Sequence, residues 1–299
     1  MRGRSEKARS KKFKLDEVLF SVYVYITIGF VVLLCLYPFL NVLAYSLSDS
    51  LAILSGKVTF YPINFQTSAY EKIMQTSMIL NSLKNSVFIT VAGTLLSLVV
   101  TTMAAYALSK PHLKGRAFFT FFILFTLYFG GGIIPTFMVV KGLGLVDSLA
   151  SLVLPVMVSA FNFIIMKAFF QSLPSSIEES AKIDGCNDIY YLIKMALPLS
   201  KPIIATIGLF YAVMYWNDYF SSLMYITSPE RYPLQLMLRQ LLFTEALNQI
   251  STAEGIGQQV MPESMKAAAV VIAIIPIITI YPWLQKYFVK GVMLGSVKG

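Results

Sequence analysis

The sequence predicts an all-α integral membrane protein that crosses the bilayer six times, and three observations carry that prediction. Of the 299 residues, 57% are hydrophobic and only 13% are charged. Soluble domains carry about 25% charged residues, and a water-soluble fold of this length could not hide so much apolar surface. The apolar residues also gather into runs long enough to cross ~30 Å of hydrocarbon. Finally, the cations sort to alternate ends of those runs, as the positive-inside bias requires.

The elements follow in order. Residues 1–18 form a basic tail, with Arg2, Arg4, Lys7, Arg9, Lys11, Lys12 and Lys14 against Glu6. The composition predicts a disordered cytoplasmic segment touching anionic headgroups. The apolar run that follows is too long for a secretory signal and lacks a small-residue cleavage site after it. It is expected to stay as the first span, about 19–43, kinked near its outer end by Pro38. The mixed stretch 46–82, with Pro62, Asn64 and Gln66, belongs outside. The second span, about 86–108, is rich in small residues (Ala92, Gly93, Ser97, Thr101, Thr102, Ala104, Ala105). Small residues let helices pack closely in lipid, so this helix is expected at the centre of the bundle.

Lys110, Lys114 and Arg116 mark the next turn as inside. The third span, about 117–140, is interrupted by Gly130-Gly131-Gly132 and Pro135. Two readings stay open: an unwound segment lining a pathway, or glycines marking the outer end of a helix. A short outer loop, 141–149, leads to a fourth span at about 150–170. The fifth, about 203–226, contains Tyr215-Trp216-Asn217-Asp218-Tyr219. An acid within an apolar span suggests a functional position, and aromatic faces beside Asn and Asp suit sugar rings. The alternative is an aromatic belt with a polar helix end. The outer loop 227–264 is long enough to be partly structured, and Leu234 to Asn248 has apolar residues at helical spacing. The sixth span, about 265–289, completes a permease domain over 19–289, and 290–299 is a cytoplasmic tail. In this arrangement only Lys57, Lys72, Lys84, Lys141, Arg231, Arg239 and Lys266, of 24 lysines and arginines, fall outside. The net charge of +9 is thus explained by cytoplasmic loops rather than by nucleic acid.

Residues 173–202 stand out as a polar elbow between two spans. Ser175 with Glu178 three residues on reads as a capping box, and Asp184-Gly185 reads as a left-handed helix end. Asn187 or Asp188 can start a second short helix that Pro198 and Pro202 close. By shape alone this could be an amphipathic helix lying at the interface. Its residue order says more. Glu178-Glu179-Ser180-Ala181, then Asp184-Gly185, then Leu197-Pro198 and Lys201-Pro202 resembles the EAA loop of ABC importer permeases. There the pattern runs E-A-A-x-x-D-G, a fixed gap, then L-P. Ser180 and Cys186 replace small residues with small residues. Asn85-Ser86-Val87, Ala104-Ala105-Tyr106-Ala107, Pro276-Ile277-Ile278 and the ending Lys290-Gly291 to Val297-Lys298-Gly299 are similar to the carbohydrate-uptake branch. The ending resembles the smaller maltose-type permease subunit.

The resemblance implies a type I ABC importer permease fold with both termini cytoplasmic, in a bacterial plasma membrane. It implies a heterodimer with a second homologous permease, two cytoplasmic ATPase subunits that carry ATP and Mg, and an extracytoplasmic solute-binding protein that delivers a sugar. Glu178, Glu179, Ala181, Asp184, Gly185, Leu197 and Pro198 would couple to the ATPase, and Gly295, Lys298 and Gly299 would contact it through the tail. Tyr215, Trp216, Asn217, Asp218 and Tyr219 would line the substrate pathway. The branch further suggests a large or uronic-acid-containing oligosaccharide.

Catalysis by this chain is not expected: it has no Walker A pattern, no G-x-S-x-G and no histidine-rich metal motif. His112 is its single histidine, and Cys35 and Cys186 form no CxxC. The chain is therefore expected to bind no cofactor or metal of its own. An ion-gradient-driven secondary transporter would use Asp218 and the glycine run but leave the elbow unexplained. An ABC permease for a non-sugar solute would not account for the carbohydrate-type ending.

Overall fold

The structure is a computed structural model that describes residues 2–242 and 263–296, apart from the side chains of 2–16, 281 and 283–296. Among the described residues every regular element is helical. The chain divides into two compact units, one formed by residues 1–73 with 259–271 and the other by 74–258 with 272–299.

In the first unit, α1 (Arg2–Ser46) is one continuous helix. The basic tail expected to be disordered is therefore helical: lysine and arginine are good helix formers, and no proline precedes Pro38. Within α1, the most apolar 18-residue window of Glu17–Ser46 has a mean hydropathy of 2.5, and none of it is buried among the described residues. A helix apolar on all sides and covered by nothing needs a lipid surround. The polar stretch that follows is folded. It holds α2 (Ser50–Leu54) and α3 (Ser68–Gln75) around a small core of Ala44, Ala52, Ile53 and Val58. Ser48 Oγ donates to Ala44 O (2.6 Å) and accepts from Ile63 N (3.0 Å), and Ser46 Oγ meets Tyr70 Oη at 2.7 Å.

The second unit is organised on α4 (Ser77–Ser109), the central helix the small residues predicted. Ser86, Gly93, Ser97, Thr101, Thr102 and Ala105 are buried on it. With no bulky side chains there, α7 (Ala160–Ser172) and α11 (Lys201–Asn217) pack directly onto α4. Hydroxyl pairs lock the α11 contact: Ser97 Oγ with Tyr215 Oη at 2.8 Å and Thr101 Oγ1 with Tyr211 Oη at 2.7 Å. Such pairs fix register in a setting where water cannot compete.

Three expected spans turn out broken. α5 (Arg116–Tyr128) ends before the glycine run, and α6 (Ile133–Gly142) leaves it at 120°. At 1.5 Å per residue, the thirteen residues of α5 reach only ~20 Å, short of a bilayer core. The glycines thus end a helix and reverse its course, and Gly132 at φ +85° takes a conformation closed to other residues. The fourth span starts with 3₁₀ turns at 149–156 around Pro155, and its helix α7 begins only at the Ser159 cap, with a 51° bend between them. The fifth stops at Asn217 and resumes as α12 (Phe220–Tyr225). Between α7 and α11 lies the elbow, made of α8 (Ser175–Ile183), α9 (Asp188–Tyr191), a π-helical turn (Leu192–Ala196) and α10 (Leu197–Leu199). It turns by 82° into α11. The last helix is α13 (Glu263–Ser296). Among the described residues three helices are long and apolar enough to span a membrane, and six crossings result if each bent pair is counted as one.

Candidate functional site

The elbow is built from short-range chemistry. α8 carries Glu178 in its first turn and Lys182 in its last, each suited to its end of the helix dipole. Its C-terminus closes in a Schellman motif: Gly185 N donates to Lys182 O (3.0 Å) and Cys186 N to Ala181 O (2.9 Å). That geometry requires Gly185 at φ +80°. Asn187 then caps α9, its Oδ1 accepting from Tyr190 N at 2.7 Å.

The capping box does not form. Pro174 occupies the cap position, no side-chain cap bond is made there, and Ser175 is the first helical residue. Glu178 has stronger partners than a backbone amide. Its Oε2 accepts from Lys110 Nζ at 2.5 Å and its Oε1 from Lys182 Nζ at 2.9 Å. Burial works to raise the Glu178 pKa, but the two lysine hydrogen bonds outweigh it and hold the carboxyl below its ordinary value. The same bond from Glu178 raises Lys182. Pro202 likewise does not close the elbow: it sits in the first turn of α11, and the break falls at Ser200.

Lys110, just past the end of α4, fastens the elbow. Its side chain is only 11% exposed, and its ammonium lies 4.4 Å from the Tyr106 ring centroid and 5.0 Å from that of Tyr191. Tyr106 also donates from Oη to Asp188 O at 3.2 Å and meets Phe170 edge-on at 5.6 Å between centroids. A cation between two ring faces and a carboxylate is held by charge, quadrupole and hydrogen bond together. α4, the end of α7 and both elbow helices thus meet at one point. Sequence reasoning missed Lys110, Tyr106 and Tyr191; the one local signal was Tyr106 and Lys110 at i, i+4.

Ala181 is buried, while Glu179, Asp184 and Gly185 are exposed, Leu197 is half-buried and Pro198 exposed. Of the two adjacent acids, Glu178 points into the protein and Glu179 is in no ion pair among the described residues. Apolar side chains stand out beside them: Ile183 at 86%, Ile189 at 70%, and also Tyr190 and Ile193. This exposed apolar face, backed by an internal anchor, is suited to take a protein partner. Gly295 lies in the last turn of α13, and Lys298 and Gly299 lie outside the described residues.

The five-residue stretch at the end of α11 is not one surface. Tyr215 and Trp216 are buried, Tyr215 Oη bonding Ser97 and Val153 O (3.4 Å) and Trp216 Nε1 donating to Ala273 O (3.2 Å). Asn217 is exposed but donates to Val213 O in its own helix, and Tyr219 is 42% exposed beneath the Arg239 guanidinium. Asp218 Oδ1 accepts from Ser221 N at 3.1 Å, a capping bond at the start of α12. Asn217 and Asp218, with Val156, Met214 and Ser221, line a recess of about 190 Å³.

A second polar hub, also missed, joins two loops expected outside. Asp147 sits at φ +59°. It accepts from Thr227 N (3.0 Å), Ser228 N (2.9 Å), Ser228 Oγ (2.5 Å) and Arg231 Nη1 (3.0 Å). The Ser228 bonds, foremost, hold its pKa well below the usual carboxylate range.

Comparison with known proteins agrees with this architecture. Residues 115–294 match the family described as "Binding-protein-dependent transport system inner membrane component". The polygalacturonan/rhamnogalacturonan transport system permease protein YtcP of Bacillus subtilis is 45% identical over 94% of this chain and 99% of its own. Protein LplC of the same organism is 44% identical, covering 94% and 95% respectively. A crystal structure of a bacterial ABC transporter involved in the import of the acidic polysaccharide alginate contains a similar chain. It matches with a TM-score of 0.84 and 35% identity, over 91% of this chain and 98% of that one.

Proposed function

The chain belongs to the family of binding-protein-dependent transport system inner membrane components, and on that premise we propose that it is the permease subunit of an ATP-driven importer of acidic oligosaccharides. As a member of that family it is a multi-pass protein of the bacterial plasma membrane. The observation that carries the coupling role is the elbow: an apolar face of Ile183, Ile189, Tyr190 and Ile193 is exposed on a segment fixed to the central helix through Lys110 and Glu178. A force applied to that face moves α4, α7 and α11 rather than being absorbed in a loose loop. Two ATPase subunits fit as the source of that force, and a second, homologous permease completes the pathway. ATP-driven closure then rocks the two halves about a central passage, with substrate delivered by an extracytoplasmic binding protein.

Uronic-acid chains are the substrate class that the relatives support. One relative is named for the transport of polygalacturonan and rhamnogalacturonan, and the similar solved transporter takes part in importing the acidic polysaccharide alginate. Catalysis belongs to the ATPase partner. In this reading Glu179, Asp184, Gly185, Leu197 and Pro198 form the ATPase-facing surface, with Gly295, Lys298 and Gly299 reaching the ATPase from the tail. Asn217 and Asp218 flank the substrate passage, while Tyr215, Trp216 and Tyr219 shape its wall.

The test is reconstitution of the chain with its partner permease, ATPase and binding protein, followed by ATP hydrolysis across neutral and uronic-acid oligosaccharides. Stimulation only by binding protein loaded with acidic oligosaccharide is expected. Stimulation by neutral sugars alone refutes the substrate class, and uptake driven by an ion gradient without ATPase refutes the importer itself.

A further inference from the structure

At the Arg116 end of α5, two cations face the same cleft. Arg116 opens the helix, Thr120 lies one turn further on the same face, and Lys167 reaches across from α7 to donate to Thr120 Oγ1 at 3.0 Å. Together with Ala117, Phe121 and Leu124 they line an open cleft of about 380 Å³. Arg116 uses its Nε on Leu108 O at 3.1 Å. Neither Arg116 nor Lys167 is in an ion pair among the described residues. Two half-buried like charges converging without a counter-charge leave a site short of an anion.

The walls say which anion. Beyond the two cations and Thr120 the cleft is lined by Ala117, Phe121 and Leu124, with Phe121 66% exposed. The cleft thus joins a charged mouth to an apolar face a helical turn or two long. A free phosphate would use the mouth alone, whereas a phospholipid uses both. Loop cations Lys110, Lys114 and Arg116 put this end on the cytoplasmic side by the positive-inside rule, where anionic lipids concentrate and basic pockets between spanning helices hold their headgroups.

We propose that the Arg116–Thr120–Lys167 cleft binds the phosphate headgroup of an anionic phospholipid, with an acyl chain along Phe121 and Leu124 of α5. The inference needs the chain to be a membrane permease but is independent of its substrate. Lys167 lies on α7, the helix that runs directly into the elbow, so a bound lipid would brace α5 against α7 where the elbow begins.

The test uses the purified complex of this chain with its partner permease and ATPase. Native mass spectrometry follows retention of added phosphatidylglycerol or phosphatidylcholine, and separate samples contain inorganic phosphate as competitor. Phosphatidylglycerol should be retained preferentially and should not be displaced by inorganic phosphate. Replacing both cations in R116Q/K167Q should weaken its retention about twenty-five-fold, from about fivefold per charge removed, while exposed Lys114→Gln leaves it unchanged. Equal retention of both lipids, or undiminished phosphatidylglycerol in the double variant, overturns the proposal. Displacement by inorganic phosphate would assign the mouth to a free anion. A zero-length crosslink from Lys167 to a carboxylate of the partner permease would assign the cleft to that subunit, also against the proposal. If the double variant does not assemble, the lipid preference of the unsubstituted complex and of Lys167→Met decides.

Discussion

Lys110→Met tests whether the elbow is anchored as the geometry indicates. The change keeps most of the side-chain length but removes the 2.5 Å ion pair to Glu178 and both ring contacts. The partners are 11% and 22% exposed, between the surface and the buried regimes. Exposed pairs contribute under ~1 kcal/mol, and breaking a fully buried pair from one side costs about 3–5 kcal/mol. With Lys182 still on the other carboxylate oxygen, the lower middle of that span, about 2 kcal/mol, applies. The lost cation–π contacts add up to about 1 kcal/mol. Local opening of the elbow should therefore become about 30- to 150-fold easier, read as faster amide hydrogen exchange over 176–191 in the assembled complex, with the rest of α4 unaffected. The pH dependence has a definite sign. Glu178 is depressed in the folded state, so its contribution is complete above the unfolded carboxyl pKa and fades as pH falls through the folded one. Lys110→Met should abolish most of that acid-range loosening. Unchanged exchange in the variant, or strict additivity with Glu178→Gln, refutes the anchor.

Three further outcomes are expected. Gly93→Ala should destabilise the protein by about 1–2 kcal/mol, because the new Cβ would stand 2.8 Å from Tyr215 Cε2 and that ring is tied to Ser97 and Val153; a raised Tm would show that the ring can move aside. Gly185→Val should weaken ATPase co-purification while Gly185→Asn preserves it, since no atom lies within 4 Å of the missing Cβ and only the left-handed backbone, ~1–2 kcal/mol for an ordinary residue, is at issue. Equal loss in both would point to a contact instead. Asp218→Asn keeps an oxygen for the Ser221 amide and removes the charge, so it should alter uptake without lowering expression; normal uptake would leave Asp218 only its cap.

What was legible in the sequence was local or compositional. The Gly185 turn and the Asn187 cap are fixed within three or four residues, and the central position of α4 follows from a row of small side chains. Hydropathy windows count apolar residues correctly but cannot see where a backbone turns, so the interruptions at Gly130–Gly132, Pro155 and Asp218 fall inside spans of ordinary predicted length. Glu178 shows the limit most clearly. Its place in the first turn of a helix suggests a capping box, but its partner Lys110 lies 68 residues away, and an ammonium in a half-dry site outcompetes a backbone amide. Asp147 was invisible for a related reason: its partners at 227–231 lie some eighty residues on, and its left-handed backbone leaves no compositional trace.

Under the coupling role proposed for the elbow, its paired acids would serve two mechanical roles. Adjacent residues on a helix project about 100° apart, and here Glu178 turns inward to Lys110 while Glu179 stays exposed. Glu178 takes the inner position and is neutralised by two lysines; Glu179 is left in water beside Ile183 and the Gly185 turn. A coupling element needs both properties. If both acids were exposed, the elbow would dock but slip against α4, and work done on it would be lost in local unfolding, the cheapest motion available to nine helical residues. If both were internal, it would be rigid with no charged feature to orient a partner. On the coupling role proposed for the elbow, transmission through it would depend on Lys110 as much as on the motif residues themselves.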